Sequence, residues 1–286
     1  MLSYLQAIIL GLLQGITELF PISSLGHSII VPAILGWPIN QNSAYFLAFL
    51  VATHFATCAV LFFFYWKDWA RIISGILRSV RIQRVTPDTS ATLGWLLIIG
   101  TVPAGIAGTV FQKQVQRFFI SPRYVAAFLA LNGILLWLAE ILRKRAARRG
   151  DSVLDPDERI AAQLTAWQSA KVGTMQVLAL LPGFSRTGSA LAGGLMVGLA
   201  HEDALRFSFL LATPIIGAAA VLELPTLFDS ADARSIGTAL LGAACAAAAS
   251  YFSVKLLTRY FKTHTLTPFA LYCLLFGSLS LLILSR

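Results

Sequence analysis

Long apolar runs alternate with short polar stretches along most of the chain. Six of them, at 43–66, 93–111, 123–142, 206–224, 236–254 and 268–284, reach the roughly 18 residues that a helix needs to cross hydrocarbon. Open sheets leave their backbone unsatisfied in lipid, so these runs predict helices. Two further stretches behave differently. The run 2–20 stops at Pro21-Ile22-Ser23-Ser24-Leu25-Gly26-His27, and the run after it, 28–35, is too short to cross before Gly36-Trp37-Pro38. In the same way, 172–181 stops at Pro182-Gly183-Phe184-Ser185-Arg186-Thr187-Gly188 and resumes over 190–200. Two apolar pieces around a Pro/Ser/Gly turn predict a re-entrant helix–loop–helix in each case.

The two stretches also resemble each other. Gly11, Gln14, Ser23 and Gly26 match Gly173, Gln176, Ser185 and Gly188 at one constant spacing, and three spans follow each unit. Three is odd, so the second unit is expected upside down relative to the first. The expected fold is an all-α polytopic membrane protein with six transmembrane helices plus two re-entrant helix-loop-helix pairs in inverted-topology repeats. It forms a single integral membrane domain over 1–286: repeat one about 1–142 with its loop near 21–27, a cytoplasmic linker about 143–165, and repeat two about 166–286 with its loop near 182–188. Re-entrant pieces of such repeats meet near the bilayer midplane and build the ligand site there.

Composition agrees with this reading. The chain is 57% hydrophobic and 12% charged, with mean hydropathy +0.75, against about a quarter charged in soluble domains. The net charge of +9 sits in segments between spans: Lys67, Arg71, Arg78, Arg81 and Arg84 after one, Arg143, Lys144, Arg145, Arg148 and Arg149 after another. This is the positive-inside pattern and puts both segments in the cytoplasm. The acidic segment 224–235, with Asp229 and Asp232 beside Arg234, then falls outside, as do both termini; Lys113, Arg117 and Arg123 fit that side less well. No aromatic-basic interleaving or DNA-binding motif accompanies the charge, so no nucleic-acid partner is expected. Cys58, Cys245 and Cys273 fall inside spans and imply no disulfide framework. The N-terminal run lacks a preceding basic region and does not read as a cleaved signal peptide.

Within this apolar background, Glu18 is the only charged side chain between 1 and 66, and Arg186 the only one between 172 and 200. Ionisable groups at membrane depth are costly and point to function. Gln14 and Glu18 share a helix face at i and i+4, where their oxygens suit a hard divalent cation completed by phosphate oxygens and water. Ser24 and His27, three apart, suggest a hydroxyl nucleophile beside a base; the plainer reading is that Ser23 and Ser24 cap the second half-helix. Arg186 offers a planar fork for phosphate. Ser185 and Thr187 add hydroxyls, and Gly183 and Gly188 permit close backbone approach. Two half-helix N-termini and one guanidinium make an anion site, and in a membrane that anion suggests a phosphorylated lipid. His54, mid-span, reads as a packed core histidine, His201 as interface capping, and Asn132 and Glu140 as helix packing.

The motifs Gln-Gly-Ile-Thr-Glu-Leu-Phe-Pro-Ile-Ser-Ser-Leu-Gly-His (14–27), Pro-Gly-Phe-Ser-Arg-Thr-Gly (182–188) and Phe-Ser-Phe-Leu-Leu-Ala-Thr-Pro (207–214) closely resemble those of the undecaprenyl-diphosphate phosphatase family, also called the bacitracin-resistance protein family. The resemblance covers nearly the whole chain. It implies hydrolysis of undecaprenyl diphosphate to the monophosphate carrier of cell-wall precursors, in the bacterial inner membrane with the active site open to the periplasm. It implies Glu18, Ser24, His27 and Arg186 as catalytic, Gln14, Ser23, Gly26, Gly183, Ser185, Thr187 and Gly188 around the substrate, and Mg²⁺ or Ca²⁺ arriving with the diphosphate on Glu18 and Gln14. The partners expected are the lipid diphosphate and membrane lipids; a homodimer stays open. Four positions depart from the family pattern: Gln14 replaces a second Glu, Leu25 a small hydroxyl residue, Thr187 a serine and Ala190 a threonine. The alternative is a polyprenyl-phosphate transporter or flippase, since inverted repeats with broken helices also serve alternating access.

Overall fold

A computed structural model describes residues 2–40, 43–82, 88–116, 121–146, 155–229 and 233–285. Arg84, Arg117, Arg148, Arg149 and Asp232, used above to orient the chain, lie outside the described residues. Twelve α-helices and no strand are found among the described residues.

Helix α1 (Tyr4–Leu19) starts at a capping box in which Ser3 and Gln6 satisfy each other's backbone N–H groups. After the turn at Phe20–Ser23 the chain resumes as α2 (Ser24–Ile34). Then come α3 (Ala44–Phe64), α4 (Trp66–Ile82), α5 (Thr89–Gln116) and α6 (Pro122–Ala146). A short helix α7 (Pro156–Gln163) precedes α8 (Ala166–Met175), which begins with the same capping box, built from Thr165 and Gln168. Helix α8 tightens into a 3₁₀ segment, Gln176–Leu180, before α9 (Arg186–Met196), α10 (His201–Asp229), α11 (Ala233–Tyr260) and α12 (Thr267–Leu284).

Helices α3, α5, α6, α11 and α12 carry stretches long and apolar enough to cross a membrane, so the chain is a multi-pass membrane protein. Helix α10 is 29 residues long, with part of its second half lacking described side chains. One expectation needs correcting. The basic stretch after Trp66 is not a loop but α4, an amphipathic helix with Trp66, Ile73, Leu77 and Val80 exposed on one stripe. Its other side lies against α5, where a β-carbon at Gly75 would meet the backbone of Ser90 and Ala91.

Small residues set how the helices pair. A β-carbon on Gly11 would strike the Gly242 carbonyl, and one on Gly15 the Ala246 carbonyl, so α1 runs parallel to α11. Gly173 meets the Gly100 carbonyl in the same manner, and Ser169 donates to the Leu96 carbonyl at 2.5 Å, so α8 runs parallel to α5. Gly133 abuts Ala270 and Leu274, while Gly277 abuts Ala126 and Ala130, so α6 and α12 cross antiparallel. Glycine at these contacts removes the side chain that would hold the helices apart.

One end of the bundle is tied by charge. Arg206 of α10 makes a two-pronged bond to Asp157 at 2.7 and 2.9 Å and reaches Asp68 of α4 at 3.2 Å. Arg159 holds Asp203 and Glu202, and His201 bonds Glu140 at 2.8 Å. His201 thus pairs with a carboxylate on α6, which also accepts the Leu266 N–H at 3.0 Å.

Candidate functional site

The two helix–turn–helix units meet turn to turn. Ser23 caps α2 by accepting the Gly26 N–H at 3.2 Å; Ser185 caps α9 by accepting the Gly188 N–H at 3.0 Å. A β-carbon on Gly26 would sit 3.4 Å from Cα of Gly183, and one on Gly188 would sit 3.1 Å from the Pro21 carbonyl. Each turn therefore rests on the capping glycine of the other. Asn132, on α6, fastens both: its amide donates to the Pro21 carbonyl at 3.0 Å and its carbonyl accepts the Ser185 N–H at 3.1 Å. Thr187 adds a third tie, donating to the Glu18 carbonyl at 2.9 Å.

The N-caps place the first residue of each second helix, Ser24 and Arg186, in the lining of one open pocket. Glu18, Ser23, Ser24 and Leu25 line it from the first unit; Ala179, Phe184, Ser185 and Arg186 line it from the second; His54 closes it from α3. Glu18 is buried, and its Oε2 takes three side chains: the Ser24 hydroxyl, which donates in a short hydrogen bond, the Gln14 amide at 3.1 Å, and His54 Nε2 at 3.2 Å. Arg186 lines the same pocket, and its Nη1 is buried with no hydrogen-bond partner among the described residues.

Hydrogen bonds fix where protons sit on the histidines. Nδ1 of His54 lies 2.7 Å from the Leu50 carbonyl, which only accepts, so this nitrogen carries the ring proton. Its other nitrogen, Nε2, faces the Glu18 carboxylate at 3.2 Å. His54 belongs to the site rather than to core packing. Sequence offered one signal for it, a titratable ring in an otherwise apolar span.

The structure does not bring His27 to Ser24. Its Nδ1 donates to the Ser23 carbonyl at 2.7 Å, its Nε2 accepts from the Tyr272 hydroxyl at 2.7 Å, and it does not line the pocket. The i, i+3 spacing puts both residues on one side of α2, but the ring folds back onto the carbonyl four residues earlier. Gln14 is placed beside Glu18 as expected, yet it turns its NH₂ toward the carboxylate and leaves Oε1 buried without a partner among the described residues. Gly26, Gly183, Thr187 and Gly188 serve the turn-to-turn contact, and Ser23 and Ser185 both cap and line. Among the described residues no group of three or more His, Cys, Asp or Glu side chains is placed to hold a metal ion.

What this arrangement can do is present a hydroxyl, already hydrogen-bonded to a carboxylate, in one pocket with a guanidinium whose Nη1 has no partner among the described residues. That is the equipment for transfer of an anionic group. Comparison with known proteins points the same way. A family model described as bacitracin resistance protein BacA matches residues 7–279. The chain is 44% identical over 297 residues to an undecaprenyl-diphosphatase of Mycolicibacterium paratuberculosis, covering 98% of this chain and 97% of that one. It is 45% identical over 285 residues to an undecaprenyl-diphosphatase of Acidiphilium cryptum, covering 98% of each. An undecaprenyl-diphosphatase 2 of Frankia alni is 40% identical over 334 residues, covering 97% of each.

Proposed function

Because the chain belongs to the bacitracin resistance protein BacA family, we propose that it hydrolyses undecaprenyl diphosphate to the monophosphate and inorganic phosphate, recycling the lipid carrier of cell-wall synthesis. The observation that carries the mechanism is the pairing, within one pocket, of the Ser24–Glu18 hydrogen bond with the unpartnered Nη1 of Arg186. The diphosphate headgroup enters the pocket and the long prenyl chain stays in lipid.

In this reading Arg186 and the N-terminus of α9 hold the terminal phosphate and offset the charge gathering on its oxygens. Ser24 Oγ attacks the terminal phosphorus, its proton passing to Glu18, while the bridging P–O bond breaks and the lipid monophosphate leaves. Water then cleaves the phosphoserine, giving up a proton to the Glu18–His54 couple as Ser24 recovers its own. Glu18 is the base here, and His27 is not. A divalent cation, Mg²⁺ or Ca²⁺, brought with the diphosphate fits the donor set: Glu18 Oε1 takes none of the three bonds above, and Gln14 Oε1 is buried and unpartnered. Its chemistry is charge neutralisation on the phosphate oxygens.

The same reading takes α3, α5, α6, α10, α11 and α12 as six spans and α1–α2 and α8–α9 as re-entrant pairs in inverted repeats. The matched capping boxes, the parallel pairings α1–α11 and α8–α5, and the antiparallel α6–α12 crossing support it. With α4 and the Arg206–Asp157 cluster on the cytoplasmic side, the termini and the mouth of the pocket face the periplasm of the bacterial inner membrane. Those paired units also favour a second reading, transport of the lipid headgroup.

Phosphate release from undecaprenyl diphosphate by purified protein in detergent tests the proposal. Release that disappears in Ser24→Ala is the expected result; undetectable release by the unaltered protein with and without Mg²⁺ or Ca²⁺ overturns it. Headgroup movement in vesicles that survives Ser24→Ala selects the transport reading.

A further inference from the structure

Ser23 has φ of 69°, the only positive value at a non-glycine residue among those described. A side chain tolerates that conformation poorly, so its surroundings must hold it there. The residue in question directly precedes Ser24 and caps its helix. The matched turn offers a control: Ser185, the equivalent cap, has an ordinary φ of −86°.

What differs around the two turns is His27. Two donors of this one residue converge on the Ser23 carbonyl, the backbone N–H at 3.3 Å and Nδ1–H at 2.7 Å. With Nδ1 carrying the proton, Nε2 is an acceptor, and the Tyr272 hydroxyl of α12 donates to it at 2.7 Å. The ring stacks on Tyr272 at 5.7 Å and on Phe276 at 5.1 Å, each within 9° of parallel. At the matching place in the second unit stands Ser189, whose hydroxyl has no partner among the described residues, and the Ser185 carbonyl takes, among those residues, the backbone N–H of Ser189 alone. The prop exists only where the cap is strained.

We propose that Tyr272 and His27 form a positioning relay that holds Ser23 in its left-handed conformation and so aims the Ser24 hydroxyl at Glu18. The relay rests on the reading of Ser24 as nucleophile. The Ser23 carbonyl sets which nitrogen of His27 carries the proton; Tyr272 steadies the ring by donating to the other; His27 clamps the Ser23 carbonyl; the Ser23–Ser24 peptide sets the direction of Oγ. Neither ring touches the substrate pocket, so both are positioning residues.

The test compares Tyr272→Phe, His27→Asn and His27→Gln with the unaltered protein, by steady-state kinetics across pH and by hydrogen exchange. Asparagine can keep a donor near the Nδ1 position, and glutamine reaches instead toward that of Nε2. The relay predicts that His27→Gln lowers kcat about 100-fold, the scale of a small misplacement of a reacting group. His27→Asn recovers at least a tenth of the activity, and Tyr272→Phe falls roughly tenfold with KM unchanged. The pH limbs of kcat stay where they are in all three. Exchange rises severalfold over 21–27 and not over 182–188. Loss of one pH limb in both His27 variants, or unchanged exchange over 21–27 in Tyr272→Phe, overturns the relay. If the unaltered protein releases no phosphate while the exchange pattern appears, the relay stands as a structural prop and the phosphatase reading is what fails.

Discussion

The α1–α2 and α8–α9 units are built alike and equipped differently. Both open on a capping box, both press a glycine onto a parallel helix, and both cap their second helix with a serine whose hydroxyl accepts a glycine N–H. At the first position of that second helix one unit has Ser24 and the other Arg186, and the two face one pocket. The end of the first helix differs too. Helix α1 stays α-helical through Glu18, so Gln14 and Glu18 line up one turn apart. The other unit tightens to a 3₁₀ segment at Gln176, whose amide finds no partner among the described residues, and carries Leu180 toward its end. A repeated scaffold thus yields an asymmetric site, carboxylate and hydroxyl from one copy and guanidinium from the other. The backbone supplies where; the side chains supply what.

The sharpest break of the comparison is chemical. Ser24→Ala and Arg186→Ala each remove one unit's contribution, and each is expected to lower kcat for diphosphate hydrolysis by about 10³-fold or more. Single-turnover phosphate release checks this, and a near-normal rate in either variant would show that one unit suffices. Next comes packing. Gly11→Ala and Gly173→Ala both drive a methyl into a backbone carbonyl and should destabilise by similar amounts, about 1–3 kcal/mol. Thermal unfolding in detergent measures it, and a large inequality would break the likeness of the units. Asn132→Ala unties both turns at once and leaves a buried carbonyl and N–H unpaired, costing about 1–3 kcal/mol, read by the same unfolding curve. The smallest effect lies in the caps. Ser185→Ala should cost about 1 kcal/mol, whereas Ser23→Gly should cost only a few tenths, because glycine accepts the positive φ that Ser23 endures.

Much of this was visible in the residues. The apolar runs coincide with α3, α5, α6, α10, α11 and α12 because a long stretch without charge has few alternatives to a helix in lipid. Glu18, Ser24 and Arg186 stood out because charge and hydroxyl-rich turns are conspicuous in such a background. Helix α4 was missed because its basic stripe imitates a polar loop, and only the contact of its Gly75 side with α5 shows it as a packed helix. His54 was undervalued for a different reason: nothing local distinguishes a histidine that packs from one that reaches a carboxylate on another helix. Asn132 looked like a packing residue and turned out to bridge two turns far from it in sequence. His27 misled most, since proximity to Ser24 along the chain suggested a catalytic pair, whereas its ring is engaged by Ser23 and Tyr272.

The central claim is that Ser24, served by Glu18, receives the phosphate. It is tested most directly by mixing the enzyme with undecaprenyl diphosphate labelled in its terminal phosphate, quenching at neutral pH within one turnover, and mapping the label by peptide mass spectrometry. Label is expected on Ser24 and is absent in Ser24→Ala. Label on His27, or hydrolysis by Ser24→Ala at the unaltered rate, would contradict it.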